Sequence, residues 1–133
     1  MALGRRGGER QGELWVAAGD VARAPRHVFY EKLNGVLKAA GFDAFVEELC
    51  EEYYATNGRP SIPPGVFFRM VLIGYFEDIS SQRGIAWRCE DSRSLQEFLG
   101  FALNEETPDH SSLSRIKGRL PLEVFQQVFT WVL

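Results

Sequence analysis

The chain has 133 residues and a mass of 15.1 kDa, one domain's worth, and a chain of that length buries roughly two-thirds of the surface it would expose unfolded. Hydrophobic residues at 45% and charged residues at 25% exclude a disordered chain, and a net charge of −3, from 15 basic and 18 acidic residues, excludes a strongly basic, histone-like binder while leaving room for a local basic patch. Cys50 and Cys89 are too few for a disulfide scaffold and lack C-x-x-C spacing, so reduced thiols are expected.

Residues 1–26 are rich in Gly, Arg and Ala and read as a flexible N-terminal arm that docks through Trp15. They contain no apolar run of about 7–15 residues, so they do not make a signal peptide. From His27 to Leu133 the pattern is helical. Val28, Phe29, Leu33, Val36 and Leu37 recur at spacings of three and four, and Gly41 stops that helix. A second helix, about 42–55, has Phe42, Phe45, Val46, Leu49, Cys50 and Tyr53 on its apolar face and Glu47, Glu48, Glu51 and Glu52 on its wet one. The stiff loop Gly58–Gly65 carries Pro60, Pro63 and Pro64, and the last pair opens a helix of about 64–78. Its apolar stretch, Val66–Phe76 with Arg69 inside it, is far short of the roughly 20 residues that span a bilayer and reads as a buried central helix.

Ser80 or Ser81 caps a short helix of about 82–89, and Asp91 or Ser92 another of about 92–99 that Gly100 stops. Thr107-Pro108-Asp109 is a helix start, with Thr as the N-cap and Pro in the first turn. That helix turns Leu113, Ile116 and Leu120 inward. Pro121 opens the last helix, with Leu122, Phe125, Val128, Phe129 and Val132 on one face. No run alternates polar and apolar residues. The expectation is an all-α bundle of about seven short helices with a helix-turn-helix-like portion, over residues 27–133. The final Thr130-Trp131-Val132-Leu133 ends on an apolar face that the domain's own core, a second copy or a further catalytic domain must cover.

Catalytic chemistry is poorly represented. Asp109-His110-Ser111-Ser112 has the letters of a hydrolase triad, but consecutive helical residues point about 100° apart and cannot converge. His27 and His110 are the only histidines, and neither has a metal-binding partner one turn away. The four glutamates of the second helix read as solvated surface. Neither G-x-G-x-x-G nor G-x-x-x-x-G-K-[ST] occurs, so no phosphate cradle is expected. No metal and no cofactor are expected.

Ser111–Arg119 reads S-S-L-S-R-I-K-G-R. With the apolar residues inward, Ser111, Ser112, Ser114, Arg115, Lys117 and Arg119 make a cationic, hydroxyl-rich face suited to double-stranded DNA, where Arg and Lys meet phosphates or guanine edges. Arg83, Arg88 and Arg93 on the preceding short helices add candidate backbone contacts. Against this, residues 59–119 hold eight basic and eight acidic residues, so a binding face requires segregation of charge in space. The loop 100–107 is also longer than a strict helix-turn-helix allows, and the tighter pair, about 82–89 and 92–99, is an alternative place for the recognition helix.

Several motifs in order resemble the N-terminal, InsH-type domain of bacterial insertion-sequence transposases: Phe42-Asp43-Ala44-Phe45-Val46-Glu47-Glu48-Leu49-Cys50, then Gly58-Arg59-Pro60-Ser61-Ile62-Pro63-Pro64-Gly65-Val66-Phe67-Phe68-Arg69-Met70, then Ile85-Ala86-Trp87-Arg88-Cys89, Phe98-Leu99-Gly100 and Thr107-Pro108-Asp109-His110-Ser111-Ser112-Leu113-Ser114-Arg115. The resemblance spans roughly residues 10–133. It implies a module that binds the element's terminal inverted repeats and assembles as a homodimer or with full-length transposase, in the cytoplasm and on the nucleoid. In that family the Asp, Asp and Glu that hold two metal ions lie in an RNase H-like domain beyond the equivalent of Leu133. A truncated, non-catalytic chain is therefore expected, with no catalytic residue of its own. Gly118 stands where the family carries another basic residue. A protein-interaction remnant that pairs without binding DNA is the alternative.

Overall fold

Proline and glycine punctuation divides the chain into helices, and the computed structural model describes them over residues 3–4, 25–54 and 62–133. The helices are α1 (Pro25–Ala39), α2 (Phe42–Cys50), α3 (Pro64–Glu77), α4 (Gln82–Asp91), α5 (Arg93–Leu99), α6 (His110–Arg119) and α7 (Leu122–Val132). A single 3-10 turn, Glu51–Tyr53, follows α2. No strand occurs among the described residues, so the fold is all-α. The expected arm, Trp15 within it, and the loop residues Gly58 to Ser61 lie outside the described residues, apart from Leu3, Gly4 and the first turn of α1.

The helix ends follow their local chemistry. Gly41 (φ 77°) and Gly100 (φ 88°) take left-handed backbone after α1 and α5, a conformation that costs glycine little. The Ser81 hydroxyl accepts from Gly84 N at 3.0 Å and starts α4. The Ser92 hydroxyl accepts from Leu95 N at 3.4 Å and starts α5. Pro64 is the first residue of α3, where its missing N–H costs nothing.

Helix α3 packs against α2, α4 and α5 and buries Phe67, Phe68, Met70, Leu72 and Ile73. Its Arg69, only 4% exposed, organises the centre. Nη1 and Nη2 donate to the two carboxylate oxygens of Asp43 at 2.7 and 3.0 Å. Nε donates to Asn34 Oδ1 at 3.0 Å, and Nη1 also to the Gly65 carbonyl at 3.2 Å. The guanidinium lies near the Phe42 and Phe98 rings, so one side chain ties α1, α2, α3 and α5 together.

That hub corrects the reading of α1. Its buried residues are Tyr30 and Leu37, with Leu33 partly buried, while Val28, Phe29 and Val36 are exposed. Asn34 must face inward to accept from Arg69, and this rotates the helix away from the stripe its apolar spacing suggests. Helix α2 ends at Cys50 rather than near 55. In α7, Val124 and Val128 are buried, whereas Leu122, the first residue of the helix, is exposed. The final Leu133 is exposed, whereas Trp131 is partly covered by the domain itself. It stacks on Phe45 (centroids 5.2 Å, planes 12° apart) and tilts against Phe42.

Candidate nucleic-acid interface

Helix α6 begins at a side-chain cap. Asp109 Oδ1 accepts from Ser112 N at 2.8 Å, so the N-cap is Asp109 and not the expected Thr107. Proline at 108 favours extended backbone in the residue before it, and the aspartate two residues beyond Thr107 reaches the free N–H groups of the first turn. The bond from the Ser112 N–H, with help from the Ser112 hydroxyl, holds the Asp109 carboxyl below the usual carboxylate range.

Leu113, Ile116 and Leu120 are buried as expected, and α6 packs against α4. At about 100° per residue, this anchors the opposite face outward. Ser111, Ser114, Arg115 and Gly118 lie near its centre, Lys117 on one flank, and Arg119 with half-buried Ser112 on the other. Arg115 Nη2 donates to Ser112 Oγ at 3.3 Å. Among the described residues no carboxylate forms an ion pair with Arg115, Lys117 or Arg119. Gly118 faces open space: a side-chain carbon added there would meet nothing within 4 Å.

The other candidate cations differ. Arg83 is exposed; its Nη2 lies 3.5 Å from His110 Nε2 and its guanidinium 5.9 Å from the Trp87 ring centre. It therefore borders the start of α6. Arg88 Nε and Nη2 both lie 3.1 Å from Glu77 Oε1, whose side chain is 7% exposed. Tyr30 donates its hydroxyl to the other oxygen of that carboxylate at 3.2 Å. Arg93 Nη2 pairs with Glu97 Oε1 at 3.3 Å, and His27 Nε2 approaches Glu97 Oε2 at 2.9 Å. Arg88 and Arg93 are thus matched to the carboxylates of Glu77 and Glu97.

One feature of this face was invisible in the sequence. A groove of about 490 Å³ at the N-terminal end of α6 is lined by Trp87 and Glu90 of α4, Leu103, Glu105 and Glu106 of the loop, and Asp109. Adjacent Glu105 and Glu106 were the available signal, but only the fold brings Glu90 and Trp87 beside them. Elsewhere, burial pushes the Cys50 thiol up to about 11 and the Cys89 thiol to about 12, so both stay protonated and unreactive at neutral pH. Among the described residues no three His, Cys, Asp or Glu are placed to hold a metal ion, and no helix is long and apolar enough to cross a membrane.

The model of a family described as a transposase domain (DUF772) matches residues 21–119, a range that contains α1 to α6. No curated protein and no solved structure matches the chain.

Proposed function

Because this chain belongs to the transposase domain family, we propose that it is the DNA-binding and assembly module of an InsH-type insertion-sequence transposase. In this reading α6 lies against double-stranded DNA at the element's terminal inverted repeats, and the chain contributes binding rather than strand cleavage. The observation that carries it is the exposure of Arg115, Lys117 and Arg119 without a carboxylate partner among the described residues, on a helix fixed by Leu113, Ile116 and Leu120. Free cations on a rigid helix release counterions from the duplex when they meet its phosphates. Ser111, Ser112 and Ser114 supply hydroxyl donors beside them, and Arg83 of α4 adds an exposed cation at the start of α6.

A mobility-shift titration with the inverted repeat and a scrambled duplex tests this. The expected result is salt-sensitive, repeat-selective binding. Arg115→Ala with Lys117→Ala should lower the affinity for both duplexes and reduce the dependence of log K on log salt by roughly two, about one per cation. Binding untouched by that pair overturns the assignment to α6. Magnesium-dependent nicking by the purified chain would overturn the non-catalytic part.

A pairing role without DNA has its own support. Phe29, Phe76 and Tyr75 form an exposed aromatic row across α1 and α3, with ring centres 5.2 and 5.3 Å apart. Exposed apolar surface of this kind suits contact with another protein. Loss of association, with DNA binding intact, on changing Tyr75 and Phe76 to serine would assign that row to assembly.

A further inference from the structure

Lys117 stands on one flank of the outward face of α6, and it also lines a cleft of about 290 Å³ that α3, α4 and α7 complete. The cleft is apolar at depth, where Ile85 is buried and Val71 half-buried. It is polar toward solvent, where Tyr75, Ser80 and Lys117 are exposed beside half-buried Gln82. Phe76 and Phe129 meet the Tyr75 ring edge-on, with centroids 5.3 and 6.2 Å away, so a ring that is 63% exposed is steadied on two sides. Among the described residues no carboxylate lines the cleft, and Lys117 is its one charged group. Of the acids nearest in sequence, Glu77 is engaged by Arg88 and Tyr30, and exposed Asp78 lies outside the lining.

These features select a ligand that is flat and apolar on its faces, polar along one edge and joined to an anion. An aromatic ring and an aliphatic wall suit the faces. The Gln82 amide and the Ser80 hydroxyl can each donate and accept at the edge, and Lys117 suits the anion. A nucleotide has this make-up, and a volume at the lower end of small-molecule sites admits one base rather than a stack. We propose that the cleft receives a single nucleobase turned out of the duplex along α6, its ring against Tyr75 and Ile85, its edge on Gln82 and Ser80 and its phosphate on Lys117. The proposal rests on the DNA-binding reading and adds specificity to it: phosphate contacts position a helix, whereas a pocket that reads the edge of an extruded base discriminates among sequences. Extrusion costs stacking and pairing, and that cost falls where the base is already unpaired.

Two measurements on the full chain test it. Titration of the four deoxynucleoside monophosphates, followed by NMR, should move the Val71 and Ile85 methyl signals and the Gln82 side-chain amide signals. Inorganic phosphate should move only signals near Lys117. In binding titrations, a single mismatch stepped along the inverted repeat should tighten binding by about tenfold at one position, because the unpairing cost there is already met. Tyr75→Ala and Gln82→Ala should each erase that gain and leave the salt slope, set by the cations, unchanged. Circular dichroism establishes that each variant keeps its helices. Monophosphates that leave those signals still, a mismatch scan without a peak, or a gain that both variants keep overturns the proposal. So does N-acetylleucine amide moving the methyl signals where no nucleotide does, since the cleft then seats a protein side chain. Salt-sensitive duplex binding that Arg115→Ala weakens, with a flat mismatch scan, sinks this proposal alone. Failure to bind any duplex, paired or mismatched, sinks the DNA reading on which it rests.

Discussion

Arg69 shows how much one residue decides. A guanidinium buried in a bundle is tolerated only when its donors are satisfied, and here Asp43, Asn34 and the Gly65 carbonyl do so. Asp43→Ala leaves that buried charge without its carboxylate. The expected loss is about 2–3 kcal/mol in urea unfolding at pH 7, below the usual range for a broken buried pair because Asp43 is itself half exposed. The bond from Arg69 holds the Asp43 carboxyl below its ordinary range. Its contribution is therefore present above the ordinary aspartate value near 4 and fades as pH falls through the lower folded value. The stability gap between the native chain and Asp43→Ala should narrow over that acid interval. Gly118 offers the opposite kind of change. It sits in open space at the centre of the outward face, so Gly118→Lys should raise stability by roughly 0.5–1 kcal/mol, as expected for glycine replaced within a helix. It should also tighten DNA binding and steepen its salt dependence by about one, read from unfolding curves and from binding titrations at several salt concentrations.

At the scale of elements, local signals were legible and facing was less so. Ser81, Ser92, Gly41, Gly100 and Pro64 each mark a helix end through chemistry confined to one turn, and that chemistry is written in the sequence. Leu113, Ile116 and Leu120 were equally plain, because only one stripe of α6 is apolar. Helix α1 buries Tyr30 and Leu37 rather than Val28, Phe29 and Val36, and that facing depends on Arg69, thirty-five residues beyond Asn34. A lone arginine in an apolar run does not announce its partners. The same holds for the interface: the cations of α6 could be named from one segment, whereas the pairing of Arg88 with Glu77 and the acidic groove need three-dimensional contacts. Helix α7 extends the point. Trp131 covers part of α2 by stacking on Phe45 and tilting against Phe42, so this side chain is a packing element although Leu133 beyond it is exposed. Trp131→Ala should cost about 2–3 kcal/mol in thermal or urea unfolding, less than the ~3–5 kcal/mol of a fully buried tryptophan because its ring is partly exposed. It should leave duplex affinity unchanged at temperatures where the variant is folded.

For the whole molecule, charge arrangement matters more than net charge. At −3 overall, the chain is not drawn to a polyanion from a distance, and its DNA affinity must come from the few cations that face outward together. Arg115, Lys117 and Arg119 supply three and Arg83 a fourth, whereas Arg88 and Arg93 are matched to Glu77 and Glu97. Since each neutralised phosphate of B-DNA contributes about −0.9 to the slope of log K against log salt, fluorescence titration should give a slope of about −3 to −4. Arg88→Ala should leave that slope unchanged. It should instead destabilise the fold by about 2 kcal/mol, because it removes a partly exposed cation from a buried carboxylate that keeps the Tyr30 hydroxyl. A slope that flattens by about one in Arg88→Ala, with the fold still stable, would mean that this arginine leaves Glu77 for a phosphate. The binding face would then reach beyond α6 and across α4.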